Sequence, residues 1–207
     1  MQELKNIGKS YNKSIIFKNI NLSVKNSEPI ILMGKNGCGK STLLKIMAGI
    51  IKPTTGELSS PPKIKISLTP DKLPPMPFKT LEYLRHMGKI QGLLTGEINE
   101  YITKMFDYFY IPHHVKEQKL NKCSKGELQK INIMQALITK PDLLLMDEPF
   151  SGLDEDSLSQ LLNLLTKTSE NQTAIVIACH EKEIAQKFSN IYVFKDQLLN
   201  KQEGGEL

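Results

Sequence analysis

The most informative short segment of the sequence is GKNGCGKST at residues 34–42, which fits the pattern G-x-x-x-x-G-K-[ST]. An apolar run, PIILM at 29–33, precedes it, and STLLKIMAGI at 41–50, with apolar residues at helical spacing, follows it. Glycines permit positive φ angles and let consecutive N–H groups face a phosphate, which the helix N-terminus also attracts. The segment therefore predicts a phosphate site of a nucleotide rather than a glycine-rich turn with an incidental lysine.

Two residues of this loop have predicted roles in that chemistry. Lys40 is placed to neutralise β- and γ-phosphate oxygens, and the Ser41 hydroxyl is placed to bind Mg²⁺. Cys38 could be a redox-sensitive thiol, because a helix N-terminus lowers a thiol pKa, but a small residue that fits the loop is the favoured interpretation. The predicted nucleotide-binding residues of the loop are Gly34, Lys35, Asn36, Gly37, Cys38, Gly39, Lys40, Ser41 and Thr42.

A second candidate is LLLMDEP at 143–149, an apolar run that ends in two adjacent carboxylates. Neighbouring side chains of a strand point to opposite sides, so Asp147 and Glu148 cannot do the same work. One can hold Mg²⁺ beside Ser41, and the other can polarise the attacking water as a general base. The strand pattern leaves open which of the two carboxylates has which task. The alternative, a solvated acidic corner, is disfavoured once the phosphate loop is present.

The composition predicts one globular domain in a reducing compartment. The chain has 207 residues, of which 40% are apolar and 24% charged, and it can bury about 70% of its unfolded surface. Its net charge of +5 comes without a basic run or an aromatic-interleaved basic patch, so nucleic acid is not an expected partner. The three cysteines are odd in number and lack metal-ligand spacing, so no structural disulfide is expected.

The sequence predicts neither a membrane span nor a secretion signal. Apolar runs such as AIVIAC at 174–179 fall well short of the roughly 18 residues that a spanning helix needs. The N-terminus, MQELKNIGKSY, has no apolar segment after its first charges and no cleavage site. We expect a cytoplasmic protein, with any membrane role depending on a partner.

Alternating strand and helix patterns position these motifs. Strands are predicted at 14–24, 63–69 and 173–179, and helices at about 124–139 and 155–168. Two short strands follow, around YVF and QLL. This alternation indicates a mainly parallel sheet. Helices with no strand between them predict a helical subdomain at about 79–139, and residues 201–207 are expected to form a frayed tail.

The order of the motifs resembles that of the ATP-binding subunit of an ABC transporter. Nearly the whole chain is covered: the phosphate loop, CSKGE at 123–127, LLLMDEPFSGLD at 143–154, and His180 after an apolar strand. The resemblance implies an α/β fold, a P-loop NTPase core with a mainly parallel sheet, an antiparallel β edge subdomain and an α-helical signature subdomain. It also implies one ATP-binding domain over residues 1–200, with ATP and Mg²⁺ as cofactors.

The resemblance gives CSKGE a function. In the family, a signature close to L-S-G-G-Q opens a helix, and by resemblance Ser124 and the Gly126 amide complete the γ-phosphate site of a second, facing subunit. A helix N-terminus offers donors and a favourable dipole to an anion, although Ser124 could instead only cap the helix. The segment departs from the commonest family pattern at three positions, Cys123, Lys125 and Glu127.

Further roles follow from the same resemblance, which implies that Asp147 holds Mg²⁺ and that Glu148 positions the attacking water. His180 stands where the family has a switch histidine that contacts the γ-phosphate, and SGLD at 151–154 matches the loop that links the two sites of a dimer. Asp154 would also suit a helix N-cap. Tyr11 lies where an aromatic residue stacks on adenine. Asp71 occupies the place of the family's Q-loop glutamine, and it could reach Mg²⁺ through water.

The resemblance predicts an ATP-hydrolysing subunit that forms a head-to-tail dimer and drives transport through a separate membrane subunit. The chain would then lie on the cytoplasmic face of the membrane. The S-K-G signature and the absence of a regulatory extension favour export over import. Two alternatives are weighed: a soluble ABC-type ATPase acting on ribosomes or nucleic acid, and a degenerate module that binds ATP without hydrolysing it. The presence of Lys40, Glu148 and His180 disfavours the latter.

Overall fold

The computed structural model describes residues 2–12, 14–26, 28–74 and 76–202. The strands are β1 (Gln2–Tyr11), β2 (Ser14–Val24), β3 (Ile30–Met33), β4 (Thr55–Ser59), β5 (Ile66–Thr69), β6 (Leu143–Asp147), β7 (Ala174–Cys179), β8 (Asn190–Lys195) and β9 (Leu198–Lys201). The helices are α1 (Lys40–Met47), α2 (Thr80–Ile90), α3 (Thr95–Tyr108), α4 (Lys125–Leu137), α5 (Glu155–Glu170) and α6 (Lys182–Ala185), with short 3₁₀ turns at His113–Lys116 and Leu120–Lys122.

A six-stranded sheet in the order β5-β6-β7-β3-β8-β9 forms the centre of the molecule. All neighbouring pairs are parallel except β8 and β9, which are antiparallel. Every residue of β3, β6 and β7 is buried, as their continuous apolar sequences require when both faces of a parallel sheet are covered. The predicted mainly parallel sheet is confirmed.

Alternate residues of the central strands supply two separate apolar cores. Ile31 and Met33 belong to the core that includes α4 and α5, whereas Ile30 and Leu32 belong to the core under α1 and the smaller sheet. This division follows from the two-residue period of a strand. The sheet is therefore the middle layer of three.

The smaller sheet has the order β2-β1-β4 and is antiparallel throughout. It is the predicted antiparallel β edge, which is confirmed, although neither β1 nor β4 was foreseen. Apolar residues of β1 and β2, including Leu4, Ile7 and Phe17, face the core under α1. The sheet thus covers one face of the helix that follows the phosphate loop.

Three predicted boundaries differ from the structure. The strand expected at 63–69 starts only at Ile66, because its partner strand β6 starts at Leu143, opposite Ile66. Helix α5 continues to Glu170. The expected tail begins too early, since Lys201 is the last residue of β9 and the Gln202 N–H donates to the carbonyl of Ile191 at 2.8 Å. The rest of the expected tail, 203–207, lies outside the described residues.

Helices α2, α3 and α4 and the two 3₁₀ turns occupy the region between Thr80 and Leu137, where the described residues contain no strand. A single bridge joins Lys79 and Lys119 at its base. The subdomain boundaries at 79 and 139 stay a prediction. In the part of the chain that the structure describes, no helix is both long and apolar enough to cross a bilayer.

Candidate functional site

The predicted motifs meet at one edge of the central sheet. The phosphate loop follows β3, and Asp71, Glu148 and His180 follow β5, β6 and β7 within two residues of each strand end. These strands are parallel and adjacent, so their carboxyl ends lie side by side, where open α/β sheets bind ligands. A cavity of about 430 Å³ lies there, and it is lined by most predicted site residues: Lys35, Asn36, Gly37, Gly39, Lys40, Ser41, Thr42, Asp71, Asp147, Glu148 and His180.

The backbone of the phosphate loop needs glycine at two positions in particular. Gly39, directly before α1, has a φ of 111°, and a Cβ there would lie 2.7 Å from the ring of Phe17. A Cβ at Gly34 would lie 2.7 Å from the sulfur of Cys38 and 2.9 Å from Phe194. Any side chain at these positions would displace the loop. Gly34 and Cys38 do not line the cavity, and Gly34 instead packs closely against Cys38 and Phe194.

Lys40 lines the cavity, and its ammonium is held by polar partners. Its side chain is only 5% exposed, its Nζ donates to the carbonyl of Gly34 at 2.6 Å, and the same Nζ lies 3.4 Å from Oε1 of Glu148. A buried ammonium requires such partners. Lys40 therefore carries a fixed positive charge at the start of α1, where the helix dipole adds to it.

Glu148 lies between Lys40 and His180. One carboxylate oxygen is near the lysine, and the other, Oε2, is 2.8 Å from Nδ1 of His180. The carboxylate is 14% exposed, and its backbone has a φ of 50°, a left-handed conformation that is uncommon for a residue other than glycine. Its N–H donates to the carbonyl of Ala178 in β7 at 3.0 Å. This arrangement fixes the Glu148 carboxylate in one orientation, as a general base requires.

Asp147, the last residue of β6, is buried beside Ser41. Burial raises the pKa of the Asp147 carboxyl, and the negative charges of Glu148 and Asp71 raise it further, while the Ser41 hydrogen bond and Lys40 oppose these effects. The Ser41 hydroxyl and the two aspartates are oxygen ligands, the kind that Mg²⁺ prefers. In the described residues no three His, Cys, Asp or Glu side chains form a metal cage.

The predicted signature serine caps α4. Its Oγ accepts a hydrogen bond from the N–H of Glu127 at 3.2 Å, and its own N–H donates to Oε2 of Glu127 at 2.7 Å. This reciprocal pair is a capping box, which gives Glu127 a structural role at a position where the family pattern has glutamine. The Ser124 hydroxyl proton remains free to donate to a ligand. Ser124 and Gly126 do not line the chain's own cavity.

The loop after Glu148 lies against the start of α4. A Cβ at Gly126 would be 3.1 Å from the carbonyl of Gly152, and the Lys125 Nζ donates to Oγ of Ser151 at 2.9 Å. Asp154 accepts from the Ser157 N–H at 2.8 Å, so the predicted cap of α5 is confirmed. Hydrogen bonds from the Ser157 side chain and from its backbone N–H lower the pKa of the Asp154 carboxyl.

Tyr11 is not brought into the cavity. It is the last residue of β1, about half of it is exposed, and the Lys9 ammonium lies 4.8 Å from its ring centroid. The neighbouring strand β2 instead supplies Ile16 to the cavity wall. The stacking role of Tyr11 therefore stays a prediction.

Residues outside the predicted set also line the cavity. Lys72 and Lys125 add positive charge to the cavity. Each lies directly beside a predicted site residue, so the sequence could have indicated them. No sequence pattern indicated Ile16. All three cysteines are free thiols. Burial raises the pKa of Cys123, and it raises that of Cys179 to about 11, so these thiols are poor nucleophiles.

Replacing His180 by alanine is expected to lower ATP turnover about 100-fold while ATP binding is retained, because Glu148 loses the group that holds one of its oxygens. Phosphate release and ATP affinity measure the two effects separately. His113→Ala, which removes an exposed histidine outside the cavity, is the control and should behave like the unmodified protein. Normal turnover in His180→Ala would remove this residue from the site.

Comparison with known proteins identifies the family. The family model described as ABC transporter matches residues 17–151, which is more than half of the chain. The chain belongs to this family. It is an ATP-binding protein and an ABC ATPase, as the order of its motifs predicted.

Named relatives are of moderate similarity. The chain is 32% identical over 171 residues to the zinc import ATP-binding protein ZnuC of Rickettsia conorii, a match that covers 80% of this chain and 70% of that protein. It is 31% identical over 194 residues to the linearmycin resistance ATP-binding protein LnrL of Bacillus subtilis, covering 88% of this chain and 62% of the relative. The matches thus span 70% and 62% of the length of these two relatives.

Solved structures share the fold. A dimeric bacterial ABC transporter cassette superposes with a TM-score of 0.85 at 26% identity, covering 99% of this chain and all of that one. A dimeric cassette in a post-hydrolysis state, bound to ADP and phosphate, superposes with a TM-score of 0.89 at 24% identity, covering 98% of each chain. The predicted α/β fold is confirmed.

Proposed function

We propose that this chain is the ATP-hydrolysing subunit of an ABC transporter and drives transport through a separate membrane protein. The observation that carries the proposal is the position of Glu148, held between Lys40 and His180 at the mouth of the phosphate loop. A carboxylate fixed beside a phosphate site is suited to polarise the attacking water. A module that only binds ATP would not need this arrangement.

Each part of the proposed mechanism corresponds to a described group. The loop amides and Lys40 bind the β- and γ-phosphates, and the N-terminus of α1 adds favourable potential. Ser41 and Asp147, with Asp71 through water, would hold Mg²⁺, which when bound neutralises charge on the phosphate oxygens. Glu148 accepts the proton of the attacking water, and His180 keeps the carboxylate in place and supports the γ-phosphate.

We further propose that two chains form a head-to-tail dimer and that each supplies Ser124 and Gly126 to the site of the other. The capped start of α4 supports this assignment, since it offers N–H groups and a hydroxyl, while Ser124 and Gly126 lie outside the chain's own cavity. The fold similarity to cassettes described as dimeric also supports it. The expected position of the dimer is the cytoplasmic face of a membrane, beside its partner.

The expected export direction has limited support among relatives. The ZnuC proteins are named for zinc import, whereas LnrL is named for resistance to linearmycin. Most of the relatives considered carry the zinc import name, which favours import. We therefore propose import for this chain, and comparing substrate uptake by vesicles with and without ATP, once the membrane subunit is known, tests the direction.

Identifying the membrane partner tests the proposed function. The Glu148→Gln variant, tagged and trapped with ATP in its native cell, should extract with detergent in complex with a protein that has several membrane spans. Lys40→Ala, which weakens phosphate binding, is the matched control and should not hold the trapped complex. Recovery of ribosomes, nucleic acid or soluble proteins alone would overturn the transport proposal in favour of the soluble ATPase.

A further inference from the structure

Two buried amide side chains of α4 contact the loops that carry Glu148 and Asp71. Gln129 is 5% exposed, and its Nε2 donates to the carbonyl of Pro149 at 2.9 Å and lies 3.4 Å from the carbonyl of Glu148. Asn132 is 0% exposed, and its Nδ2 donates to the carbonyl of Pro70 at 2.7 Å. Residues three apart share one face of a helix. One face of α4 therefore contacts the residues next to both carboxylates.

These amides lie among apolar residues, so their presence needs a reason. Ile131, Ile133 and Met134 of the same helix are fully buried. Burying a polar side chain costs free energy unless the group forms hydrogen bonds. Backbone carbonyls past the end of a strand have lost their partners in the sheet, so they too need hydrogen-bond donors when buried. Gln129 and Asn132 supply donors to such carbonyls. Their hydrogen bonds give the carbonyls of Pro149 and Pro70 a partner and attach both loops to α4.

The backbone at Glu148 is where such an attachment matters most. Its left-handed φ of 50° is unfavourable for a residue other than glycine and persists only if the surroundings hold it. Its N–H is held by the carbonyl of Ala178, and its carbonyl accepts from the Ser151 N–H at 3.2 Å. Gln129 binds the next carbonyl along the chain, so it helps to fix the peptide that aims the carboxylate.

A similar arrangement holds the loop of Asp71. The carbonyl that Asn132 binds belongs to Pro70, the residue directly before Asp71. The Nε2 of Gln135 lies 3.4 Å from Oδ1 of Asn132, on the opposite side of the amide. The Asn132 side chain thus has contacts at both ends. Rotation of this side chain would break the hydrogen bond to the Pro70 carbonyl, and the backbone that positions Asp71 would then be free to move.

We propose that Gln129 and Asn132 are positioning residues that fix Glu148 and Asp71 relative to the signature helix. Helix α4 begins at the cap formed by Ser124, so the helix that presents Ser124 also holds both carboxylate loops. A displacement of α4 by a facing subunit would therefore move the peptide at Glu148. The inference rests on the proposed function, because it assigns the two amides to the hydrolysis that Glu148 performs.

The test compares Gln129→Met and Asn132→Leu, which keep side-chain volume and remove the donors, with Tyr101→Phe. Tyr101 is the matched control, because its hydroxyl donates to a carbonyl of α4, that of Met134 at 2.8 Å, and so forms another hydrogen bond of this helix away from the cavity. For Gln129→Met, kcat should fall about 10- to 100-fold while the KM for ATP stays unchanged. For Asn132→Leu, the Mg²⁺ concentration that gives half-maximal rate should rise. Tyr101→Phe should change neither quantity.

The variants are assayed well below the midpoint of their thermal unfolding, so that a lower rate reflects lost positioning and not a loss of folded protein. Normal kcat in a folded Gln129→Met protein would overturn the role of Gln129, and an unchanged Mg²⁺ requirement in Asn132→Leu would overturn that of Asn132. If Gln129→Met does not fold, Asn132→Leu decides the inference. The proposed function is judged separately: it fails if the unmodified protein does not hydrolyse ATP or if Glu148→Gln hydrolyses it normally.

Discussion

Replacing Glu148 by glutamine is expected to reduce ATP turnover by about 10²- to 10⁴-fold, the usual contribution of a general base, while ATP binding is retained. Glutamine has nearly the same shape, so the backbone at position 148 and the phosphate loop stay in place. It cannot accept the proton of the attacking water, and it also ends the ion pair with Lys40. The loss should therefore appear in kcat.

Single-turnover phosphate release and ATP affinity measure this effect. Glu170→Gln, which neutralises an exposed carboxylate at the end of α5, is the matched control and should hydrolyse ATP normally. ATP should also trap the Glu148→Gln protein as a dimer, because the closed site is no longer emptied by hydrolysis. Turnover close to normal would show that another group activates the water.

Replacing Ser124 by arginine is expected to abolish ATP-driven dimerisation and leave ATP binding to the single chain unchanged. The Ser124 side chain lies outside the chain's own cavity, so its loss should not affect nucleotide binding there. A long side chain at the start of α4 would block the close approach that the proposed shared site requires. Loss of the cap also destabilises the helix, by about 1 kcal/mol.

Sedimentation of Ser124→Arg with ATP, in the Glu148→Gln background that favours a trapped dimer, measures this effect. Leu94→Arg is the matched control, because Leu94 is the exposed N-cap residue of α3 and lies outside the cavity. It places the same side chain at another helix start of the same region. A Ser124→Arg protein that still sediments as a dimer with ATP would contradict the shared-site proposal.

Several parts of the site were predictable because they depend on short segments. The glycine positions of the phosphate loop, the apolar strand before it and the helix after it lie within about two dozen residues, and each has a local physical cause. The same holds for Asp147 and Glu148 at the end of an apolar run. The capping box of Ser124 and Glu127 also has a local sequence signature, a serine followed three residues later by a glutamate.

Other features depended on which strands are neighbours. Strand β7 lies between β3 and β6, and this order places His180 2.8 Å from Glu148, two residues that are 32 positions apart. Strand β1 was missed because its polar and charged residues, such as Glu3 and Lys5, hide the apolar positions that face the core. Its strand structure depends on pairing with β2 and β4. Local propensity is too weak to decide such a strand.

The sequence by itself determined which chemical groups are available to this protein: a phosphate loop, two adjacent carboxylates, a histidine directly after an apolar strand and a serine directly before a helix. The tertiary structure decided which of these groups meet. It placed Glu148 between Lys40 and His180, left Tyr11 and Ser124 outside the cavity, and brought the buried Gln129 amide to the carbonyl of Pro149. The physical reason is that the types and spacing of nearby residues constrain local backbone conformation, whereas contacts between distant segments depend on strand order and on the packing of helices against the sheet.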